Sequence, residues 1–157
     1  MAKNELSKEV LLDGAQMIIA ATIAGIGGFL KERDISLKEW ADYMGDAFEG
    51  SLGHLEGRGA DEVMEHLLAL QVLPLGAEVI SSKSSPGKAE VTLKALPPGA
   101  VLEKFGTTPA ELLEGFDVTQ REYESIFSMY EPAARSIGLK FEHYLKDDQA
   151  IISLTKS

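Results

Sequence analysis

GAEVISSKSSPGKAEVTLKA, residues 76–95, changes the period of the chain. Ahead of it the apolar residues recur every three or four positions. Within it Ala77, Val79 and Ser81 fall on one side and Glu78 and Ile80 on the other, the two-residue period of a strand. SSKSSPGK is turn-forming, and Ala89, Val91, Leu93 and Ala95 alternate with Lys88, Glu90, Thr92 and Lys94 on the return. Residues 77–96 are therefore expected to form a β-hairpin. A second hairpin closes the chain in LKFEHYLKDDQAIISL, residues 139–154: Leu139, Phe141, His143 and Leu145 share a face, Lys146 to Asp148 turn, and AIISL returns. Two hairpins can join as one antiparallel sheet with helices over one face, so the expected fold class is α+β.

Working back from the first hairpin, a helix is expected from Ala60 to Val72, with Val63, Leu67 and Leu70 inward and Pro74 forcing its end. Gly45, Gly50, Gly53, Gly57 and Gly59 loosen the chain before it, and a fray or bend is expected between Gly50 and Gly59. A helix before that starts at Ser36, whose hydroxyl caps the first turn while Glu39 reaches back. Its inward face reads Leu37, Trp40, Ala41, Met44, Ala47, Phe48 and Leu52. The first helix is expected from Glu5 to Lys31 and contains GAQMIIAATIAGIGGFL, seventeen residues at 14–30 without a charge. That run is short for a membrane span, has four glycines and no aromatic belt, and reads as a helix buried inside a soluble protein, apolar on nearly all sides. Ala20, Ala24 and Gly28 recur at four-residue spacing, which permits close approach of another backbone, either within the chain or from a second copy. After the first hairpin, Pro97, Pro98 and Gly99 end the strand, TPAELLEG at 108–115 is a short helix, and Thr119 with Glu122 caps a longer one to Ile137, kinked at Pro132. The 157 residues make one domain, with residues 1–35 as an apolar, dimerising helix and residues 36–157 as the body.

Composition removes several function classes. A net charge of −10 without a basic patch argues against nucleic acid and anionic membranes as partners. The absence of cysteine excludes disulfides, thiol nucleophiles and iron–sulfur clusters, fits a reducing compartment, and makes a cytoplasmic location the expected one. No cofactor is expected. Gly25 to Gly28 follow a helical pattern without a Walker lysine, and Ser51 lies outside a nucleophile elbow. The three histidines, His54, His66 and His143, are isolated in sequence. Glu62 and His66 have a spacing two metal ligands could use, but no third ligand is visible and no metal site is expected. What remains is an apolar stripe of Trp40, Met44, Phe48, Phe127, Tyr130 and Phe141, either core or the lining of a ligand cavity.

The order of helices, hairpin, helix and closing hairpin, with TrpAlaAspTyrMetGly at 40–45 and LeuGlyAlaGluVal at 75–79, resembles the 4-vinyl-reductase-like small-molecule-binding domain, a family related to transport-particle subunits that hold an acyl chain. The resemblance spans residues 36–154 in pattern. It implies a homodimeric α+β domain with a buried pocket for a hydrocarbon-like ligand. Members are often cysteine-rich in the second half and this chain is not, so metal or tetrapyrrole chemistry does not carry over. The leading expectation is thus a non-enzymatic binding or sensor domain for an apolar or lipid-like ligand, forming a homodimer. Two other classes stay open: a small-molecule enzyme using His54, Glu49 or Glu131 as acid–base groups, and an interaction module assembled through the first helix.

Overall fold

The computed structural model describes residues 7–94 and 96–157; the expected helix start at Glu5 and the strand residue Ala95 lie outside the described residues. The elements run α1 (Lys8–Lys31), α2 (Leu37–Ala47), α3 (Ala60–Leu67), β1 (Val79–Ser85), β2 (Lys88–Lys94), α4 (Gly99–Lys104), α5 (Pro109–Gly115), α6 (Gln120–Glu124), α7 (Glu131–Ser136), β3 (Leu139–Lys146) and β4 (Gln149–Lys156). The class is α+β, and the two hairpins form one antiparallel sheet in the order β1-β2-β4-β3. Register follows the alternation of the sequence in β2, β3 and β4, whereas in β1 a shift between Val79 and Ser81 breaks the expected alternation and every residue of the strand is exposed. Val91 faces Ile152, and Ile152 faces His143, so Ala89, Val91, Leu93, Ala150, Ile152, Leu154, Phe141 and His143 share the helix-covered face. Lys140, Glu142, Tyr144 and Lys146 take the other face, with the strand's regular exchange of buried and exposed sides.

Where the backbone departs from regular helix, glycine and proline account for it. Beyond α2, Gly50 and Gly53 withhold the propensity an α-helix needs, and Glu49–Leu55 winds as a tighter 3₁₀ turn. The helix expected over 60–72 is α-helical only to Leu67. It then widens into a π turn, Leu68–Val72, and a 3₁₀ turn, Leu73–Leu75, because Pro74 lacks a donor and its ring crowds the carbonyl four residues back. The single helix expected from Thr119 to Ile137 is three pieces: α6, a 3₁₀ turn Ser125–Tyr130, and α7. Pro132 acts upstream of itself for the same reason. Gly45 lets α2 lie against that turn, since a Cβ there would stand 2.8 Å from the Met129 carbonyl oxygen. The short helix α4, with Leu102 buried, follows Gly99 where the sequence reading expected only the end of a hairpin.

Two apolar clusters result. One fills the space between the sheet and α3, the 3₁₀ turn at 125–130 and α7, centred on Leu67, Val91, Phe141, Ile152 and Leu154. The other joins α1, α2, α5, α6 and the 3₁₀ turn after α6 through Ile23, Ala24, Leu37, Leu113, Tyr123 and Ile126. The expectation that α1 is buried on nearly all sides is corrected here. Only Ala20, Ile23, Ala24 and Gly27 are buried, whereas Leu11, Ile18 and Phe29 on the opposite face are 56%, 61% and 56% exposed. The seventeen uncharged residues make α1 apolar all round, but the rest of the chain covers one face. By length and composition α1 is apolar enough to cross a membrane, and 22% of its most apolar window is buried. The small residues serve the covered face: a Cβ on Gly27 would meet Val118 at 2.8 Å, and one on Gly28 the Phe116 carbonyl oxygen at 2.6 Å. Lys104 on Asp13 at 2.6 Å and Lys31 on Asp117 at 3.2 Å pin the two ends of α1 to the chain.

Three capping boxes start α2, α5 and α6. The Ser36 amide and hydroxyl hold the Glu39 carboxyl below its ordinary 4.5, and the Thr108 hydroxyl and amide do the same for Glu111. Burial pushes Glu122 up, but the Thr119 amide and hydroxyl and the Lys31 ammonium outweigh it. A carboxyl with a lowered folded-state pKa contributes stability above its unfolded value of 4.5 and loses it as pH falls through the folded value. The melting temperature should therefore hold on acidification from neutrality to about pH 5 and fall steeply below. Glu122→Gln should flatten part of that fall in a pH series of thermal melts. A melting temperature constant down to pH 3 would contradict the assignment.

Candidate functional site

Phe48 and Tyr130 meet at a cavity of about 290 Å³. Its walls come from three places. The end of α2 and the 3₁₀ turn after it supply Phe48, Ser51 and Leu52; α3 and the π turn supply Leu67 and Gln71; the 3₁₀ turn before α7 and α7 itself supply Met129, Tyr130 and Ala133. Its lining is apolar except for the Ser51 hydroxyl, the Gln71 amide and the Tyr130 phenol. Burial pushes the Tyr130 hydroxyl up to about 12, so it stays a neutral donor at any ordinary pH. Two wider surface grooves, of about 580 Å³ beside Phe29 and Phe116 and about 480 Å³ between α3 and β1, are more open and carry charged rims. The 290 Å³ space is the more enclosed and apolar of these.

Next to it lies an aromatic group. Tyr130 stacks obliquely on Phe141 at 5.8 Å and on Phe127 at 6.4 Å, and both rings touch His143, at 6.1 and 6.4 Å. His143, half-buried on β3, reaches the helices through both nitrogens: Nδ1 is 2.7 Å from Glu124 Oε1 on α6, and Nε2 is 3.4 Å from Glu131 Oε1 on α7. Glu124 is only 5% exposed. Asp42 is a further neighbour. Burial pushes its carboxyl up, but the Lys38 ammonium, the Ser128 hydroxyl and the His143 ring prevail and hold it below its ordinary 3.8. The Ser128 hydroxyl itself is buried and outside hydrogen-bonding geometry with any partner, yet near enough to Asp42 to favour its charged form. Glu124 and Glu131 lie on opposite nitrogens of one ring and cannot converge on one ion. Among the described residues no group of three metal-ligating side chains converges.

The six stripe residues thus separate. Phe48 and Tyr130 line the cavity, and Phe127 and Phe141 buttress Tyr130. Trp40 packs on the second cluster, beside α1, and Met44 is half-buried one turn before Phe48. Met129 takes the cavity position that the helical spacing suggested for Met44. Ser51, Gln71 and Ala133 carried no distinguishing signal in the sequence, because their convergence depends on the 3₁₀ and π turns. Of the acid–base candidates, Glu131 meets His143, and His54 meets His66 instead of Glu49. Neither pair lines the cavity.

No family model matches the chain, and no curated protein matches it significantly.

Proposed function

We propose that the chain is a non-enzymatic binding or sensor domain that takes a small apolar ligand in the cavity beside Tyr130. The observation that carries the reading is the half-open, mainly apolar space of about 290 Å³ with three neutral hydrogen-bonding groups at its wall, Phe48 standing 56% exposed at its mouth. An apolar cavity of about 150 Å³ admits benzene, so this one suits a hydrocarbon body of roughly two rings with one polar group. Native mass spectrometry of freshly purified protein should show a co-purifying small molecule, and naphthol should bind to protein stripped by solvent extraction. Ala133→Leu, which fills the space from α7, should weaken naphthol at least tenfold with the fold retained. A protein that carries no small molecule and ignores naphthol at millimolar concentration ends this reading.

The outward face of α1 supports a second part of the proposal, a homodimer. Leu11, Ile18 and Phe29 lie exposed along a helix of 24 residues, about 36 Å long by its rise. A bilayer cannot surround this helix while Ala20, Ile23, Ala24 and Gly27 stay docked on the body, and a net charge of −10 is repelled by anionic headgroups. A second copy presents the same uncharged face and needs no charge partner.

A further inference from the structure

His54 and His66, twelve residues apart in sequence, are brought into contact by the fold: their rings are 4.9 Å apart, centre to centre, and inclined at 62°. His54 belongs to the 3₁₀ turn after α2 and His66 to the last turn of α3. We propose that the two imidazoles form a binding site for a borderline-soft divalent cation of the zinc, nickel or copper(II) kind. Two imidazoles sharing one tetrahedral zinc, each bonded through nitrogen at about 2.0–2.1 Å, have ring centres about 5 Å apart. The observed 4.9 Å is close to that separation, so the two rings are near enough to share one ion once each turns a nitrogen toward it. His54 is exposed and His66 half-buried, which leaves the pair open to an incoming ion.

The surroundings favour a cation. Glu56, Glu62 and Glu65 flank the pair in sequence in a chain of net charge −10. Glu62, one helical turn before His66, is held by Arg58 at 3.0 Å, so water completes the coordination, as expected where no third ligand converges. The site ties together two walls of the cavity, since Leu52 stands two residues before His54 and Leu67 directly after His66. It does not depend on that cavity holding a ligand.

The test is calorimetric titration of chelator-treated protein with zinc chloride, comparing the wild type with His54→Ala and His66→Ala. The wild type should bind one zinc per chain, and each variant should bind it at least tenfold more weakly while its circular dichroism spectrum is unchanged. If His66→Ala fails to fold, His66→Gln takes its place. Undetectable zinc binding by the wild type up to 1 mM, or equal affinity in all three proteins, overturns the proposal. Failure of naphthol to bind would leave these outcomes unaffected.

Discussion

Replacing His143 with alanine should destabilise the protein by about 1–3 kcal/mol, the loss typical when a buried polar group is left without its hydrogen-bond partner. The cost arises at Glu124. Its carboxylate is 5% exposed, and the 2.7 Å contact with His143 Nδ1 is what compensates its lost hydration. Without the ring it is buried and unpaired, and Phe127 and Phe141 lose a neighbour as well. The pair therefore fastens the edge strand β3 to α6 and orders the aromatic group that supports Tyr130. The double variant His143→Leu, Glu124→Leu should regain most of the loss, because two apolar residues of similar volume replace both hydrogen-bonding partners together. Urea unfolding of wild type, both single variants and the double variant measures this coupling. A His143→Ala variant within 1 kcal/mol of wild type would show that Glu124 finds water or another partner, and the fastening role would fall.

His143 also marks how far the sequence could be read. The alternation of Phe141, His143 and Leu145 assigned the histidine to the covered face of a strand, and the register confirms that face. Its partner was invisible, because Glu124 is separated from it by a turn, a helix and a glycine reversal at Gly138. The hairpins and the capping boxes at Ser36 and Thr119 were legible because each is written within a few consecutive residues. The sheet order and the cavity were not, because they depend on how those units pack. Phe48 and Tyr130 come together only since the helix before Pro132 tightens into a 3₁₀ turn and the helix before Pro74 widens into a π turn. Proline signalled a disturbance at each place. It did not signal that one helix would tighten and the other widen.

The same division governs α1, where composition showed an uncharged helix and only packing shows which face is free. Ile18→Asp should convert the protein to a folded monomer, with association weakened at least 100-fold, about 2.8 kcal/mol at 1.4 kcal/mol per tenfold change. In a two-fold pair each copy contributes the same residue, so the substitution places two carboxylates in one apolar contact, and neither has a partner. Ile18 is 61% exposed in the single chain, so the monomer itself should tolerate the change. Ala24→Leu provides the contrast. Ala24 is fully buried between α1 and the body, so a larger side chain there should cost roughly 1–3 kcal/mol of stability and leave the stoichiometry as it was. Size-exclusion chromatography with light scattering over a range of concentrations, together with thermal melts, separates the two effects. A wild type that stays monomeric at high micromolar concentration, or an Ile18→Asp protein that still pairs, would show that a second copy does not cover this face. A loss of pairing in Ala24→Leu with Ile18→Asp still paired would move the contact to the opposite side of the helix, where Gly27 and Gly28 already meet Val118 and Phe116 of the same chain.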